Sequence, residues 1–431
     1  MNKPLNDNDS ASRRQFLKSS AVVMGAVAAP YLLSQREAFA VNSDTLKVGL
    51  IGCGGRGSGA ASQALAADKN VILTAMGDAF EDRLQSSLKN LQESVGKQVQ
   101  VTPDHCFVGL DAFHKVIKEV DVVILTTPPG FRPAHLKAAI AAGKHVFCEK
   151  PMAVDAPGLR SVLESAAEAK RKGLALGSGF CWRSNLGERA IMQRIHDGQI
   201  GEVRALYNTY NTGPVGGVPV RKPEMTDMQY QLRNWYHFAW LSGDHIVEQA
   251  VHSLDKMAWV MKDVPPVRCM AHGGRQARTG DGHIFDHFEV VYDYATGERG
   301  FHFSRQQANT ASENADYYVG TKGYGKIKAF GALELEGENP WKFKGDRPDM
   351  YQVEHNELFA SIRSGKPINH GTWMASSTML AIMGRMAAYT GQIITWDQAM
   401  NSQEVLGPTN LDWNTPLSTP KVAIPGVTKF V

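Results

Sequence analysis

The feature that most constrains the fold is a glycine-rich stretch, VGLIGCGGRGSG, at residues 48–59. It overlaps LKVGLIG, a short apolar run typical of a buried parallel strand, and leads into the helical pattern SGAASQALAAD. Gly52 lets the chain turn, Gly54 lets a ligand approach the backbone, and Gly57 lets the helix pack on the strand. This strand, turn and helix predict a doubly wound α/β fold whose first turn binds a dinucleotide pyrophosphate.

The other predicted cofactor contacts lie where later strands end. The run VILTAMGD ends at Asp78, about 20 residues beyond the glycine loop, where a carboxylate binds adenosine ribose hydroxyls. Because that charge repels a 2′-phosphate, the sequence favours NAD over NADP. Ligands of parallel sheets bind at the carboxyl ends of strands. The predicted cofactor residues are Gly52, Gly54, Gly55, Arg56, Gly57, Asp78, Thr127, Pro128, Glu149 and Lys150.

The patterning along the chain predicts two domains and a tail. VDVVILTTPPG, AHLKAAIAAG and KHVFCEKP indicate strand, helix and strand, so we predict a Rossmann domain over 41–172. HFEVVYDY then places alternate residues on one strand face, and ATGERG turns into the return strand FHFSRQ. We expect an α+β substrate domain over 173–397 and an extended proline-rich strap over 398–431.

The first 40 residues have the pattern of an export signal. Arg13 and Arg14 precede a short apolar run, and Ala38-Phe39-Ala40 forms a small-residue cleavage site. The apolar run is shorter than the about 20 residues that span a bilayer, although a retained membrane anchor is an alternative. We therefore predict a twin-arginine (Tat) signal peptide over 1–40, passage through the Tat machinery, a periplasmic location and no membrane attachment after cleavage.

Composition limits the classes of partner. The chain has 431 residues, a formal net charge of +3 and evenly spread charges, which gives no basic stripe for nucleic acid. Its five cysteines are an odd number without a CxxC pair, and they predict neither a disulfide framework nor a zinc site. His283 and His287 share a strand face but stand roughly 13 Å apart, so we predict no metal.

Several stretches together resemble the Gfo/Idh/MocA oxidoreductases. VGLIGCGGRG, AGKHVFCEKPMA, GQIGEVR, EQAVHSLD and AAYTGQIITWD occur in the family's order between residues 46 and 397. The resemblance implies a Rossmann domain followed by a domain with a large, open antiparallel sheet. It also implies NAD-dependent oxidation of a carbohydrate hydroxyl, and pairing through the open sheet face into a homo-oligomer.

The resemblance further implies catalytic residues. Lys150 matches the family lysine that bonds the reacting sugar hydroxyl and the nicotinamide ribose, and His252 matches the general base. Glu248, four residues before His252 on a predicted helix, matches an acid that holds the substrate, although the family pattern has aspartate there. Without the resemblance, Lys150 would be assigned to the surface and His252 equally well to the core.

Aromatic and polar side chains near these residues predict a sugar site. Trp235 and Tyr236 lie in NWYHFAWLSGDH, and Trp182 and Arg183 lie in GFCWRSN. Flat rings stack on the apolar faces of sugars, although at least half of these rings are equally consistent with ordinary packing. Arg132, which stands where the family commonly places histidine, completes the predicted substrate residues.

Export constrains the reaction, because a nicotinamide cofactor lost outside the cytoplasm cannot be replaced. We therefore predict a tightly bound cofactor that is reset within each cycle. One class of reaction oxidises a sugar or glycoside and reduces a second carbonyl compound in alternation. A redox-neutral glycosidase or lyase that oxidises, eliminates and re-reduces is the alternative. A second alternative is a non-catalytic periplasmic protein that binds sugar or nucleotide.

Overall fold

The computed structural model describes residues 44–215 and 220–431. The predicted signal peptide, 1–40, and its apolar run lie outside these residues. Within them, no helix is long and apolar enough to cross a membrane. The first half of the described chain alternates strands with helices, as predicted, and the second half is built around a larger sheet.

Six parallel strands form the first sheet, in the order β3-β2-β1-β4-β5-β6. They are β1 (Leu46–Ile51), β2 (Val71–Asp78), β3 (Cys106–Val108), β4 (Val122–Leu125), β5 (His145–Cys148) and β6 (Leu176–Ser178). The helices between them are α1 (Gly55–Ala67), α2 (Glu81–Ser94), α3 (Ala112–Glu119), α4 (Arg132–Ala141) and α5 (Ala156–Lys172). The strand order reverses between β1 and β4, and in such folds ligands bind in the crevice at that point.

The predicted boundary at residue 172 is wrong by one strand. β6 pairs with β5 and completes the first sheet, so the Rossmann sheet extends to Ser178. The chain also returns to this half much later, in α11 (Met350–Arg363), whose Leu358 and Phe359 join the apolar core around β1. A local sequence pattern does not reveal such a return, because the partner residues lie about 300 positions earlier in the chain.

The second sheet has nine strands, in the order β14-β13-β12-β11-β7-β10-β9-β8-β15. They are β7 (Val203–Thr212), β8 (Arg268–Gly274), β9 (His287–Asp293), β10 (Arg299–Gln306), β11 (Glu313–Gly320), β12 (Gly323–Lys328), β13 (Leu333–Gly337), β14 (Trp341–Lys342) and β15 (Ile394–Thr395). The sheet is mixed rather than fully antiparallel, because β7 and β10 run parallel. As predicted, alternate residues of β9 and its turn, Phe288, Val290, Tyr292 and Tyr294, are buried on one face.

Helices cover the inner face of this sheet and reach the first half. They are α6 (Leu186–His196), α7 (Asp227–Arg233), α8 (Ala239–Ser242), α9 (His245–Glu248), α10 (Val251–Val260), α12 (Gly371–Thr390) and α13 (Trp396–Asn401). α10 and α12 pack on the sheet's buried side chains. After α13 the chain has no further helix or strand. The extended tail, here called the C-terminal strap, therefore comprises residues 402–431, and the predicted start at 398 falls inside α13.

The single helix predicted around Glu248 and His252 is broken. α9 ends at Glu248 and α10 begins at Val251, and the His245 carbonyl accepts bonds from both Gln249 N (2.9 Å) and Ala250 N (3.0 Å). The four-residue spacing therefore does not place Glu248 and His252 on one continuous helix. Both side chains nevertheless line the same cavity, because the break turns them toward the Rossmann half.

Candidate active site

A cavity of about 580 Å³ lies at the carboxyl ends of the central strands of the first sheet. Residues from both halves of the described chain line it. All of the predicted cofactor and catalytic residues reach its lining, together with three of the predicted substrate residues. These lining residues are Gly52, Gly54, Gly55, Arg56, Gly57, Asp78, Thr127, Pro128, Glu149, Lys150, Glu248, His252, Arg132, Trp182 and Trp235.

The glycine loop has the geometry that a pyrophosphate requires. Gly52 has φ +96°, and a Cβ there would lie 2.7 Å from Thr127 N, so a side chain is excluded. A Cβ on Gly57 would lie 2.0 Å from Gly52 O, which explains the close packing of α1 on β1. At Gly54 and Gly55 a Cβ would meet nothing within 4 Å. That open space lies at the amino terminus of α1, whose dipole favours an anion, so the loop fits a dinucleotide.

Asp78 occupies the position expected for the adenosine ribose. Its carboxylate accepts bonds from Cys53 N (2.7 Å) and Phe80 N (2.9 Å), which fix it at the end of β2. Burial raises the pKa of Asp78 above its ordinary value, while these two bonds and nearby Arg83 act in the opposite direction. Phe80 and Arg83 also line this end of the cavity.

Glu149 contacts the glycine loop through the side chain of Arg56. The two side chains form an ion pair, and Arg56 Nη2 lies 3.3 Å from Glu354 of α11. The Arg56 guanidinium also lies 4.8 Å from the centre of the Tyr351 ring. Burial raises the pKa of Glu354 well above its ordinary value, with the charge of Glu149 as the second cause. This network holds the Arg56 side chain of the glycine loop in the cavity wall.

Lys150 and Glu248 form an ion pair across the cavity. Lys150 Nζ lies 2.9 Å from Glu248 Oε1 and also contacts the main-chain oxygen of Glu248. Both side chains are largely buried, with about a tenth of their surface exposed, 12% and 11%. Glu248 Oε2 is buried and has no hydrogen-bond partner within the described parts of the chain. One carboxylate oxygen is therefore held by the lysine, and the other is unpaired within the described residues.

His252 is held neutral by its surroundings. Burial lowers the pKa of the His252 imidazole well below its ordinary value, and the positive charges of Lys150 and Lys256 lower it further. Its Nδ1 atom is buried and has no hydrogen-bond partner among residues 44–215 and 220–431. His252 lines the cavity, and a neutral imidazole is able to accept a proton from a bound hydroxyl.

Of the predicted substrate residues, Arg132 has a different task. Its Nη1 donates to the Pro151 carbonyl at 2.5 Å and its Nη2 donates to the Thr127 carbonyl at 2.5 Å. The side chain is almost fully buried. Arg132 thus ties together the two loops that follow β4 and β5, and because it also lines the cavity, its contact with substrate stays a prediction.

Arg183 and Tyr236 lie outside the cavity, contrary to prediction. Arg183 Nε donates to Asp255 (2.9 Å), Nη2 donates to Asp263 (2.6 Å), and the guanidinium stacks 4.1 Å from the Trp373 ring. The Tyr236 hydroxyl bonds the Gln306 side chain. Each was predicted because it adjoins a tryptophan that does line the cavity, but neighbouring residues of a helical turn point in different directions.

Comparison with known proteins agrees with this geometry. Residues 46–178 match the sequence model of the Gfo/Idh/MocA group, described as "Oxidoreductase family, NAD-binding Rossmann fold". The Rossmann half of the chain is therefore similar to that of the Gfo/Idh/MocA oxidoreductases. The twin-arginine signal stays a prediction, because residues 1–40 lie outside both that match and the described structure.

Relatives within the Gfo/Idh/MocA family extend the likeness along the chain. Inositol 2-dehydrogenase of Serratia proteamaculans (strain 568) is 32% identical over 193 residues, which cover 44% of this chain and 50% of that protein. Inositol 2-dehydrogenase of Rhizobium meliloti (strain 1021) is 24% identical over 74% of this chain and 86% of that protein. The chain thus spans about half the length of the first relative and most of the second.

A solved structure shows the same fold. Aldose-aldose oxidoreductase from Caulobacter crescentus, complexed with glycerol, superposes with a TM-score of 0.64 at 19% identity. The match covers 81% of this chain and 99% of that one. The likeness extends over both sheets, so the two-domain architecture predicted from the sequence is confirmed.

Some residues of the cavity lining were not predicted from the sequence. They come mainly from the second sheet, its turns and the late helices, and they are Phe80, Arg83, Tyr210, Arg233, Gln249, Asn314, Phe330 and Tyr351. Gln249 adjoins Glu248 in the motif and was accessible to prediction. No group of three or more His, Cys, Asp and Glu in the described part of the chain is placed to hold a metal ion.

Proposed function

We propose that this protein is an NAD-dependent oxidoreductase that acts on a sugar or glycoside hydroxyl and retains its cofactor through each cycle. The observation that carries the proposal is the convergence of Lys150, Glu248 and His252 on the cavity that also contains the glycine loop. The relatives named inositol 2-dehydrogenase support a polyhydroxylated substrate of this kind.

The residues divide the chemistry between them. The glycine loop, Asp78 and Thr127 would hold a nicotinamide dinucleotide, which when bound would supply the hydride acceptor for the sugar and the hydride donor for a second carbonyl compound. His252 accepts the hydroxyl proton, because its imidazole is neutral at physiological pH. The Lys150 ammonium stabilises the alkoxide that develops, and Glu248, which lines the cavity beside Lys150, orients the substrate.

Cofactor retention follows from the proposed export. We propose that the Tat route carries the folded protein with its cofactor to the periplasm, guided by residues 1–40. Retention there requires nanomolar binding or tighter, which corresponds to about −12 kcal/mol or better. Five thiols without a disulfide are consistent with folding in the reducing cytosol before export.

A redox-neutral glycosidase or lyase is the second candidate. That reaction removes a proton from the carbon next to the transient ketone and protonates the leaving group, so it needs a further acid–base group. Glu248 Oε2 is buried in the cavity without a hydrogen-bond partner in the described chain, which suits it to this role. In this reaction the aglycone is released while the cofactor ends each cycle unchanged.

One set of measurements separates these functions. The mature protein is purified and denatured to identify the released nucleotide, and the native protein is then mixed with single sugars while the absorbance of reduced nicotinamide is followed. A stoichiometric rise that a second carbonyl compound reverses supports the oxidoreductase, and aglycone release without a lasting rise supports the redox-neutral route. Bound nucleotide that no sugar reduces, without aglycone release, supports the non-catalytic alternative, and a protein that binds no nucleotide contradicts the proposal.

Lys150→Ala tests the site itself. We expect this variant to keep its nucleotide but to lose sugar-dependent reduction, because the ammonium contacts the reacting oxygen rather than the glycine loop. Lys144→Ala, in the loop before β5 and outside the cavity lining, is the matched control and should react like the wild type. Unchanged reduction in Lys150→Ala would remove this lysine from the mechanism.

A further inference from the structure

One end of the cavity is closed by residues from outside the Rossmann sheet. This is the end beside Asp78, where the adenosine ribose is expected. Residues 227–242, here called the bridging segment, comprise α7, α8 and the turn between them. Leu232, Arg233 and Trp235 of this segment line the cavity. The cofactor site therefore has a second wall that the glycine-loop motif does not encode.

Arg233 joins this wall to the loop that follows β2. Its Nη1 and Nη2 donate to the two carboxylate oxygens of Asp82, at 3.0 and 2.8 Å. Its guanidinium carbon lies 4.0 Å from the centre of the Phe80 ring, which itself lines the cavity. A bidentate pair and a cation–π contact thus connect the bridging segment to the Rossmann half.

The C-terminal strap packs against both sides of this junction. Leu417 N donates to Asp227 Oδ2 (3.1 Å) and its carbonyl accepts from Gln231 Nε2 (3.2 Å), so the strap is bonded to α7. Trp413 lies with its ring 5.7 Å from that of Phe80, in a tilted arrangement. The strap therefore contacts the bridging segment and the loop after β2 at the same time.

Other contacts anchor the strap on either side of this crossing. Near its start, Glu404 pairs with the fully buried Arg385 of α12 at 2.8 Å. Near its end, Gly426 N donates to the Thr390 carbonyl, also of α12, at 2.9 Å. Because both anchors are on α12, the intervening part of the strap leaves this helix, crosses the bridging segment and returns to the same helix.

We propose that the strap, through Leu406, Trp413 and Leu417, holds the bridging segment closed over the adenosine end of the bound nicotinamide dinucleotide and sets how slowly it dissociates. All three side chains join the apolar cluster that contains Phe80, Leu110, Phe131 and Trp235, four residues of the cavity lining. The inference rests on the proposed function, since it explains how the cofactor is retained after export. Release past this wall requires Phe80 to separate from Arg233 and Trp413.

The test follows bound nucleotide in the full-length mature protein rather than its activity. Wild type, Trp413→Ala, Leu406→Ala and the control Leu411→Ala are dialysed, and the nucleotide still bound at successive times is released by denaturation and quantified. Leu411 lies in the same strap, but 45% of its surface is exposed. We expect Trp413→Ala and Leu406→Ala to lose nucleotide about tenfold faster than wild type, which corresponds to about 1.4 kcal/mol of lost packing. Leu411→Ala should retain nucleotide like the wild type.

The outcomes separate this inference from the proposed function. If wild type retains nucleotide and Trp413→Ala and Leu406→Ala retain it equally well, the strap has no role in retention and the inference is overturned. The inference is also overturned if Leu411→Ala loses nucleotide as fast as the other two variants, because the faster loss would then not depend on packing against the bridging segment. Wild type that is isolated empty and binds no added NAD contradicts the proposed function itself. Melting temperatures in excess NAD show whether each variant folds, and the Leu406 variant serves if Trp413→Ala does not.

Discussion

In the proposed reaction, the pKa of His252 determines the pH below which the rate falls. A base must be deprotonated to act, so the rate falls as pH decreases through its pKa. Burial and two lysine charges place that pKa well below the ordinary value of about 6.5. We therefore expect sugar-dependent cofactor reduction to stay constant as pH is lowered to about 6.5 and to decline only below it.

Removing one of those lysine charges tests the cause. In Lys256→Met the His252 pKa rises, and the acid limb of the rate should move to higher pH, as measured by single-turnover reduction across a pH series. His252→Asn should reduce the cofactor much more slowly, and its remaining rate should no longer decrease at low pH. A limb at or above pH about 6.5 in the wild type would show that a group other than His252 controls the reaction.

A second residue-scale prediction concerns Glu188, which is buried on α6. Burial raises its pKa to about 8, although the charge of Lys256 partly opposes the shift. The folded state therefore keeps a proton that the unfolded chain releases above about pH 4.3. Stability should fall as pH rises from there to about 8, because the unfolded state binds fewer protons over that interval.

Glu188→Gln should flatten this dependence, since the amide does not titrate. Urea unfolding at about pH 5 and about pH 8 measures it, with the exposed Glu338→Gln as the matched control. If Glu188→Gln loses stability with pH as steeply as wild type does, other groups are responsible for the fall.

Among the elements, the turn formed by residues 181–184 depends on Arg183. This side chain joins the turn to Asp255 of α10 and to Asp263, and only 1% of the Asp255 side chain is exposed. Removing the cation leaves a buried carboxylate without its charge partner. We expect Arg183→Ala to lower the free energy of unfolding by about 3–5 kcal/mol in urea titrations.

Arg204→Ala provides the contrast, because the Arg204–Glu202 pair is mostly exposed and should contribute about 1 kcal/mol or less. Nucleotide content should be the same in both variants, since Arg183 does not line the cavity. A stable Arg183→Ala protein with weakened sugar binding would restore the original prediction that this arginine contacts substrate.

Elements that depend on the residue pattern within a few positions were predictable from the sequence. Elements that depend on packing against residues far away in the chain were not. VILTAMGD forms β2 with the expected end at Asp78, because apolar periodicity and the following turn both act within a few residues. The glycine loop and Lys150 belong to equally local motifs. By contrast, the break between α9 and α10, the end of the first sheet at β6, and the cavity positions of Arg233 and Phe330 depend on tertiary packing.

At the scale of the whole molecule, the site is completed by parts far apart in the chain. The Rossmann half supplies the glycine loop, Asp78 and Lys150, while α9 and α10 supply Glu248 and His252. The two halves must therefore fold together before the cavity exists, which the proposed export with bound cofactor would also require. The inner side of the second sheet supports α10, and among residues 44–215 and 220–431 no helix packs on its outer side.

That outer side carries a continuous apolar row. Tyr317 pairs across the strands with Tyr207, Tyr207 with Phe301, Phe301 with Val291, and Val291 with Met270. Directly paired residues point to the same face of a sheet, so the five side chains form one band across β11, β7, β10, β9 and β8. Large exposed apolar bands on soluble proteins mark association surfaces.

We propose that two copies of the chain associate through this band, with the row facing its own counterpart in an isologous interface. Tyr207→Glu should convert the assembly to monomer in light scattering coupled to gel filtration, because it places a charge within the row, at a residue that is 38% exposed in the single chain. Val264→Glu, at an exposed position outside the row, should leave the assembly intact. Nucleotide content should survive in both variants, since neither residue lines the cavity. A wild type that is monomeric at all concentrations, or an assembly that tolerates Tyr207→Glu, would show that the band has another role.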